Sequence, residues 1–193
     1  MADSTTTPPS LSVSLALSQQ SFEPASPTDS PVSISLTVTS HDTQVITIFT
    51  WPTIFNLDLS QKRANFECID LVSNEPLRLE LTKGPKRPAF SRESGGIDDA
   101  FFRTLEPETP VTFNAAFKLA GRSTEGRNAI VPGHRYRFAV RDGETVSWWR
   151  YGRKEDVMTP AGTPSTLEEA SGPPIALADI AAVEFEVARG LAA

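Results

Sequence analysis

Val32-Ser33-Ile34-Ser35-Leu36-Thr37-Val38 decides the fold class. Large aliphatic residues at every second position line one face of an extended strand, and the small polar residues between them face the other way. Leu11-Ser12-Val13-Ser14-Leu15-Ala16-Leu17 repeats the period upstream, and Val183-Glu184-Phe185-Glu186-Val187 repeats it near the other end. Between these, apolar runs bounded by turn residues predict strands at residues 44–51, 66–72, 77–81, 111–119, 136–140 and 146–151. In the first of them Val45, Ile46, Ile48 and Phe49 imply cover on both faces. Short strands, turn clusters and no long helical period argue for a sandwich or barrel over an α/β fold, and the expectation is all-β, an immunoglobulin-like two-sheet antiparallel sandwich. Residues 152–174, rich in Gly and Pro, read as a long C-terminal loop, and the short helical signal at 166–170 belongs to it.

A chain of 193 residues holds one sizeable core. Residues 1–10, rich in Ser, Thr and Pro with no apolar face, read as a disordered leader, and residues 11–190 as a single sandwich domain. A net charge of -6 opposes a grip on phosphate backbones, which leaves nucleic acid an unfavoured partner. No apolar run reaches the length that crosses a bilayer, no signal segment opens the chain, and the single cysteine, Cys68, forms no internal disulfide. The default address is cytoplasmic.

The residues offer little chemistry. Two histidines, His41 and His134, with one cysteine and no HExxH or CxxC spacing, do not assemble a zinc site, so neither metal nor cofactor is expected. Asp98 and Asp99 read as solvated loop carboxylates rather than calcium ligands. Cys68, inside an apolar run, reads as a buried core residue rather than a nucleophile. The glycines at 121–127 lack the Lys-Ser/Thr of a phosphate loop, and Glu168 with Glu169 sit on a soft loop unsuited to acid/base work. Nothing here points to an enzyme.

Two segments stand above this background. Lys83-Gly84-Pro85-Lys86-Arg87-Pro88 is a basic loop stiffened by proline, either an acidic partner's contact or a solvated connection. In Trp148-Trp149-Arg150-Tyr151, strand alternation sends one tryptophan to the core and the other to the outer face beside arginine, either an interface hot spot or a ring covered by the 152–174 loop. The candidate contacts are therefore Trp149, Arg150, Tyr151, Lys86 and Arg87. Alternation also makes Arg135 and Arg137 outward partners for Glu184 and Glu186 if their strands are neighbours, with 146–151 as the hairpin partner on the other edge.

The order of motifs, from the Val32–Val38 run and Ile48-Phe49-Thr50-Trp51-Pro52-Thr53-Ile54-Phe55 through Phe66-Glu67-Cys68-Ile69, the basic loop and Phe102-Arg103-Thr104-Leu105-Glu106-Pro107 to Val131-Pro132-Gly133-His134-Arg135-Tyr136-Arg137-Phe138, resembles the propeptide domain of fungal deuterolysin-type metallopeptidases. The resemblance covers roughly residues 30–141 and implies an immunoglobulin-like sandwich. The zinc motif and a following peptidase domain are missing, so it implies a stand-alone fungal relative without the peptidase activity. The expectation is a non-enzymatic binding or protein-interaction module with a protein partner. The alternative is a small-molecule binding or catalytic protein whose pocket lies between the sheets or under the 152–174 loop, lined by Trp51, Phe55 and Trp148. Open sheet edges also allow a homo-oligomer.

Overall fold

A computed structural model describes residues 7–22, 32–77, 79, 90–117, 130–163 and 170–188. Along the chain run β1 (Leu11–Leu17), β2 (Ser21–Phe22), β3 (Ser33–Ser40), β4 (Ile46–Phe49), α1 (Leu57–Ser60), β5 (Phe66–Asp70) and β6 (Pro76–Leu77). A 3-10 turn (Asp99–Phe101) leads into β7 (Phe102–Leu105), β8 (Val111–Ala116), β9 (Arg135–Val140), β10 (Thr145–Val146), β11 (Trp149–Tyr151), α2 (Lys154–Val157), β12 (Ile175–Ala176) and β13 (Val183–Val187).

Two sheets form the sandwich. One has the order β1-β3-β8, the other β2-β13-β9-β5-β6. Their inner faces share one apolar cluster, with Leu15, Ile34, Leu36 and Val38 from the first layer and Phe66, Tyr136, Phe138 and Phe185 from the second. The order β1-β3-β8 against β13-β9-β5 is that of strands A-B-E against G-F-C in immunoglobulin-type sandwiches. A short sheet β11-β4-β7 and a pair β10-β12 complete the molecule. Between β1 and β2 the chain changes layer, since β2 pairs in parallel with β13, and this closes one side of the sandwich.

The alternation that predicts β3 is what the core uses. Ile34, Leu36 and Val38 are fully buried, whereas the residues between them are half-buried. Thr37 and Thr112 face each other across the outer surface with hydroxyls 2.8 Å apart. At the start of β9 the buried Tyr136 turns its hydroxyl back to accept the Val131 N–H at 2.8 Å, the tyrosine corner of this fold. The corner depends on the turn Val131-Pro132-Gly133-His134, where proline presets the second position and Gly133, at the third, takes φ 84°, the left-handed value a type II turn needs.

Residues 146–151 are not one strand and do not pair with β9. They split into β10, paired with β12, and β11, paired with β4. The inner neighbour of β9 is β5, with Phe66 opposite Val140 and Asp70 opposite Tyr136. The reason is burial: β5 offers an apolar face to the main core, whereas consecutive bulky residues at 148 and 149 need cover on two opposite sides. The anticipated pairing of β9 with β13 is present, antiparallel, with Glu184 opposite Arg137 and Glu186 opposite Arg135. The Arg135 guanidinium bonds diagonally to Glu184 at 2.5 Å. The segment 152–174, expected to be a loop, contains α2. Of the strand expected at 77–81 only positions 77 and 79 are described, and 83–88, 121–127 and 166–169 lie outside the described residues. Among the described residues no helix is long and apolar enough to cross a membrane.

The register gives a charge-swap test. Glu184→Lys with Glu186→Lys will lower the urea midpoint by an amount worth about 0.5–2 kcal/mol, because both lysines then face arginines across an exposed ladder. Adding Arg135→Glu and Arg137→Glu will recover part of it. A quadruple variant no more stable than the double one would show that the cross-strand charges do not interact.

Candidate functional site

Trp149 is 0% exposed and belongs to the main core, where its indole N–H donates to the Pro173 carbonyl at 2.9 Å and Tyr151 packs against it edge-on. Trp148 points the opposite way but is only 6% exposed. It enters a second apolar cluster with Phe49, Phe102 and Val157, and Phe90 covers it at 5.4 Å between ring centroids. The expectation that one tryptophan stays outside the core fails, the reading of an outer ring covered by the 152–174 segment is met in part through Val157, and Trp149, wholly buried, is withdrawn as a contact residue. Alternation sent the two rings apart as anticipated, yet α2 and the segment from Phe90 cover the second face. Arg150 and Tyr151 are half-buried, and the Tyr151 hydroxyl lies 3.4 Å from Asp42. Burial first, then the Asp42 charge, push that phenol upward. Lys86 and Arg87 lie outside the described residues.

The pocket expected at Trp51, Phe55 and Trp148 is placed differently. A groove of about 290 Å³ is lined by Phe55 but by neither tryptophan, and it runs between the loop leading to α1, the residues Phe101 and Arg103, and β8. Its near wall is set by local hydrogen bonds. The Thr50 hydroxyl donates to the Phe101 carbonyl at 2.8 Å, the Thr53 hydroxyl to the Thr50 carbonyl at 2.9 Å, and the Ser60 hydroxyl to the Ile54 carbonyl at 3.0 Å. Phe55 is thereby held in a stack on Phe113 at 5.0 Å.

The far wall is a sheet edge, open among the described residues. β8 pairs only with β3 among the described residues. The Phe117 N–H donates to Val32, its register partner, so residues 111, 113, 115 and 117 direct their N–H and C=O groups toward β3. Residues 112, 114 and 116 must direct theirs outward. The Gln61 side chain confirms this parity by donating to the Ala116 carbonyl at 3.0 Å, which occupies the end of the edge. The backbone groups of Thr112 and Asn114 therefore face the groove. Arg103 lies exposed at the rim, its backbone paired with Ile48 of β4 and its charge acting on Asp99.

Two other places are less suited to a ligand. A cavity of about 450 Å³ near α2 has the Lys154–Asp99 ion pair at its floor, and Lys154 with the Gly95 N–H holds the Asp99 carboxyl below its ordinary value. Those charges are already spent on each other. Asp98, read as solvated, is instead buried and accepts the Ser91 N–H at 2.9 Å.

The other place is around Asp70, where the His134 ring approaches the carboxylate at 2.7 Å. Burial alone would raise the Asp70 carboxyl, but the His134 ring and the N–H groups of Val72 and Ser73 outweigh it and hold the carboxyl below its usual value. The neighbouring Cys68 thiol is pushed up to about 12, by burial and then by the Asp70 charge, which makes it a poor nucleophile. His134 and Asp70 thus tie the tyrosine-corner turn to the end of β5. Sequence reasoning weighed His134 only as a metal ligand, and no local signal links it to a residue 64 positions away.

Trp148→Ala and Trp149→Ala will each cost about 3–5 kcal/mol in urea unfolding, since each empties a covered aromatic site. A small loss at Trp148 would show that its outer face is not covered. Because the folded Asp70 carboxyl lies below its unfolded value of about 3.9, its stabilisation is present above that pH and disappears as pH falls through the folded value. Asp70→Asn will lower stability at pH 7 and flatten the acid limb of the stability profile below about pH 4. An unchanged acid limb would remove Asp70 from that role. Comparison with models of known protein families gives no match, and no curated protein matches the chain.

Proposed function

We propose that the protein is an interaction module that receives an extended segment of a protein partner as an added strand along β8. The observation that carries this reading is the outward parity of Thr112 and Asn114 within a groove. Strand addition needs unpaired N–H and C=O groups at an edge, pockets for alternate side chains and a wall on the far side. The β8 edge supplies the first, the Phe55–Phe113 stack an apolar floor, and Arg103 a rim cation. The small-molecule alternative is less favoured, because a volume of about 290 Å³ open along an edge falls at the low end of ligand pockets, which enclose most of their ligand.

Proline distinguishes the two sides of one strand. Asn114→Pro removes an N–H that the β3 ladder does not use, and edge strands tolerate proline there. Phe113→Pro removes one that the ladder does use. The first variant will keep its cooperative unfolding with a loss of about 1 kcal/mol or less, while the second loses about 3 kcal/mol or more. Peptides selected from a random display library on the wild-type protein will lose at least tenfold in affinity for Asn114→Pro. Selected peptides that bind the variant equally well would overturn strand addition at β8.

A further inference from the structure

Ser12, His41 and Glu108 come together from three separate elements on the outer face of the β1-β3-β8 layer. The Ser12 hydroxyl lies 2.9 Å from His41 Nε2, and His41 Nδ1 lies 3.0 Å from each carboxylate oxygen of Glu108. A carboxylate only accepts, so Nδ1 carries the hydrogen and, in the neutral ring, Nε2 is left to accept the Ser12 O–H. This is the order of nucleophile, base and orienting acid that activates serine in hydrolases of unrelated fold. We propose that Ser12 is a nucleophilic acylation site, with His41 as its general base and Glu108 as the positioning residue.

The backbone argues that the arrangement is more than a surface hydrogen-bond chain. Glu108 has φ 51°, at the third position of a turn closed by the Thr109 N–H on the Glu106 carbonyl, where glycine or asparagine is the unstrained choice. Exposed ion pairs return little stability, and the His41 and Glu108 side chains are 40% and 67% exposed. A costly conformation that aims a carboxylate at an exposed histidine is not repaid by the fold, which is the pattern of strain kept for function. Main-chain bonds fix the parts: the His41 N–H donates to the Ser10 carbonyl and the Glu108 N–H to the Ser40 carbonyl, both at 2.9 Å.

The same ladder limits the chemistry. The bonds from His41 to Ser10 and from Ser18 to Ser33 set the parity of β1 and β3, and they place Ser12 opposite Thr39 as a hydrogen-bonded pair. The Ser12 N–H is therefore spent on the sheet and does not serve an oxyanion. Without that help the site attacks only acyl groups that are already activated, a thioester or an aryl ester. As the Ser12 oxygen bonds to the carbonyl carbon, its proton passes to His41 Nε2. The carbon–sulfur or carbon–aryloxide bond breaks, and the leaving thiolate or phenolate takes the proton from His41. The product is an ordinary serine ester, whose alkoxide is a poorer leaving group than the one displaced, so acylation is stoichiometric.

The test is built into the strand. Ser14 lies on the same face of β1, exposed and with no histidine, and serves as an internal reference. The folded protein is exposed to p-nitrophenyl acetate and acetylation is mapped by peptide mass spectrometry. Ser12 will be acetylated at least tenfold faster than Ser14. His41→Ala will bring Ser12 down to the Ser14 rate, free imidazole will restore part of the difference, and Glu108→Gln will fall between. All three side chains are exposed, so folding is preserved, which the thermal midpoint checks. Ser12 acetylation no faster than that of Ser14, or unchanged in His41→Ala, would overturn the assignment.

Discussion

The period-two burial of β3 is the constraint on which the rest of the structure depends. β3 is the middle strand of its layer, bonded to β1 on one side and β8 on the other. A slip of one residue would turn Ile34, Leu36 and Val38 into solvent and bring serine and threonine into the core. At about 1.5–3 kcal/mol for each large aliphatic side chain, that costs most of what a domain of this size has to spend. The register is therefore locked, and with it the parity of every backbone group on β1 and β8. The tyrosine corner does the same for the opposite layer, fixing where β9 begins and hence which arginines meet the glutamates of β13.

Elements whose residues carry their own period were legible in the sequence. β1 and β13 match the expected spans, β9 and β3 differ from them by one or two residues, and the double cover of β4 follows from its apolar residues at 46, 48 and 49, with Thr47 buried between them on the Gly152 carbonyl. Elements that exist only because something else is nearby were not. β2 and β12 are two residues long and are defined by their partners, and the single turn of α2 is held at its start by the Asp156 carboxylate, which accepts the Arg153 N–H at 3.0 Å. β7 was quoted as a motif and not read as a strand, since Phe102 and Leu105 do not alternate. The Trp148 error has the same source. Alternation predicts the direction of a side chain and is silent about what arrives from Phe90 to cover it.

Candidate sites show this limit more sharply. Residue types rich in aromatic and cationic character drew attention to 148–151, yet aromatic residues are also what cores are made of, and here the core claimed them. The groove at β8 has no compositional signature, because being an edge is a property of topology. Nor do Ser12, His41 and Glu108 stand out, separated as they are by 29 and 67 positions. Only the pairing of β1 with β3, and the contact of the Glu106–Thr109 turn with Ser40, brings them together.

The edge of β8 also sets how strongly it can hold a partner. Gln61 occupies the Ala116 carbonyl at one end, and Pro110 precedes the strand at the other. This leaves a window of two outward residues, Thr112 and Asn114, with four backbone groups between them. At about 0.5–1.5 kcal/mol net for each hydrogen bond, the window contributes about 2–6 kcal/mol before the cost of ordering an extended segment is subtracted. Backbone pairing alone therefore gives an affinity of about millimolar or weaker. Such a window guards against indiscriminate edge-to-edge association, the usual hazard of an open strand. It also means that any tight partner must draw most of its affinity from side chains, through the Phe55–Phe113 stack and the Arg103 guanidinium, so that the short edge confers selectivity because its backbone holds so little.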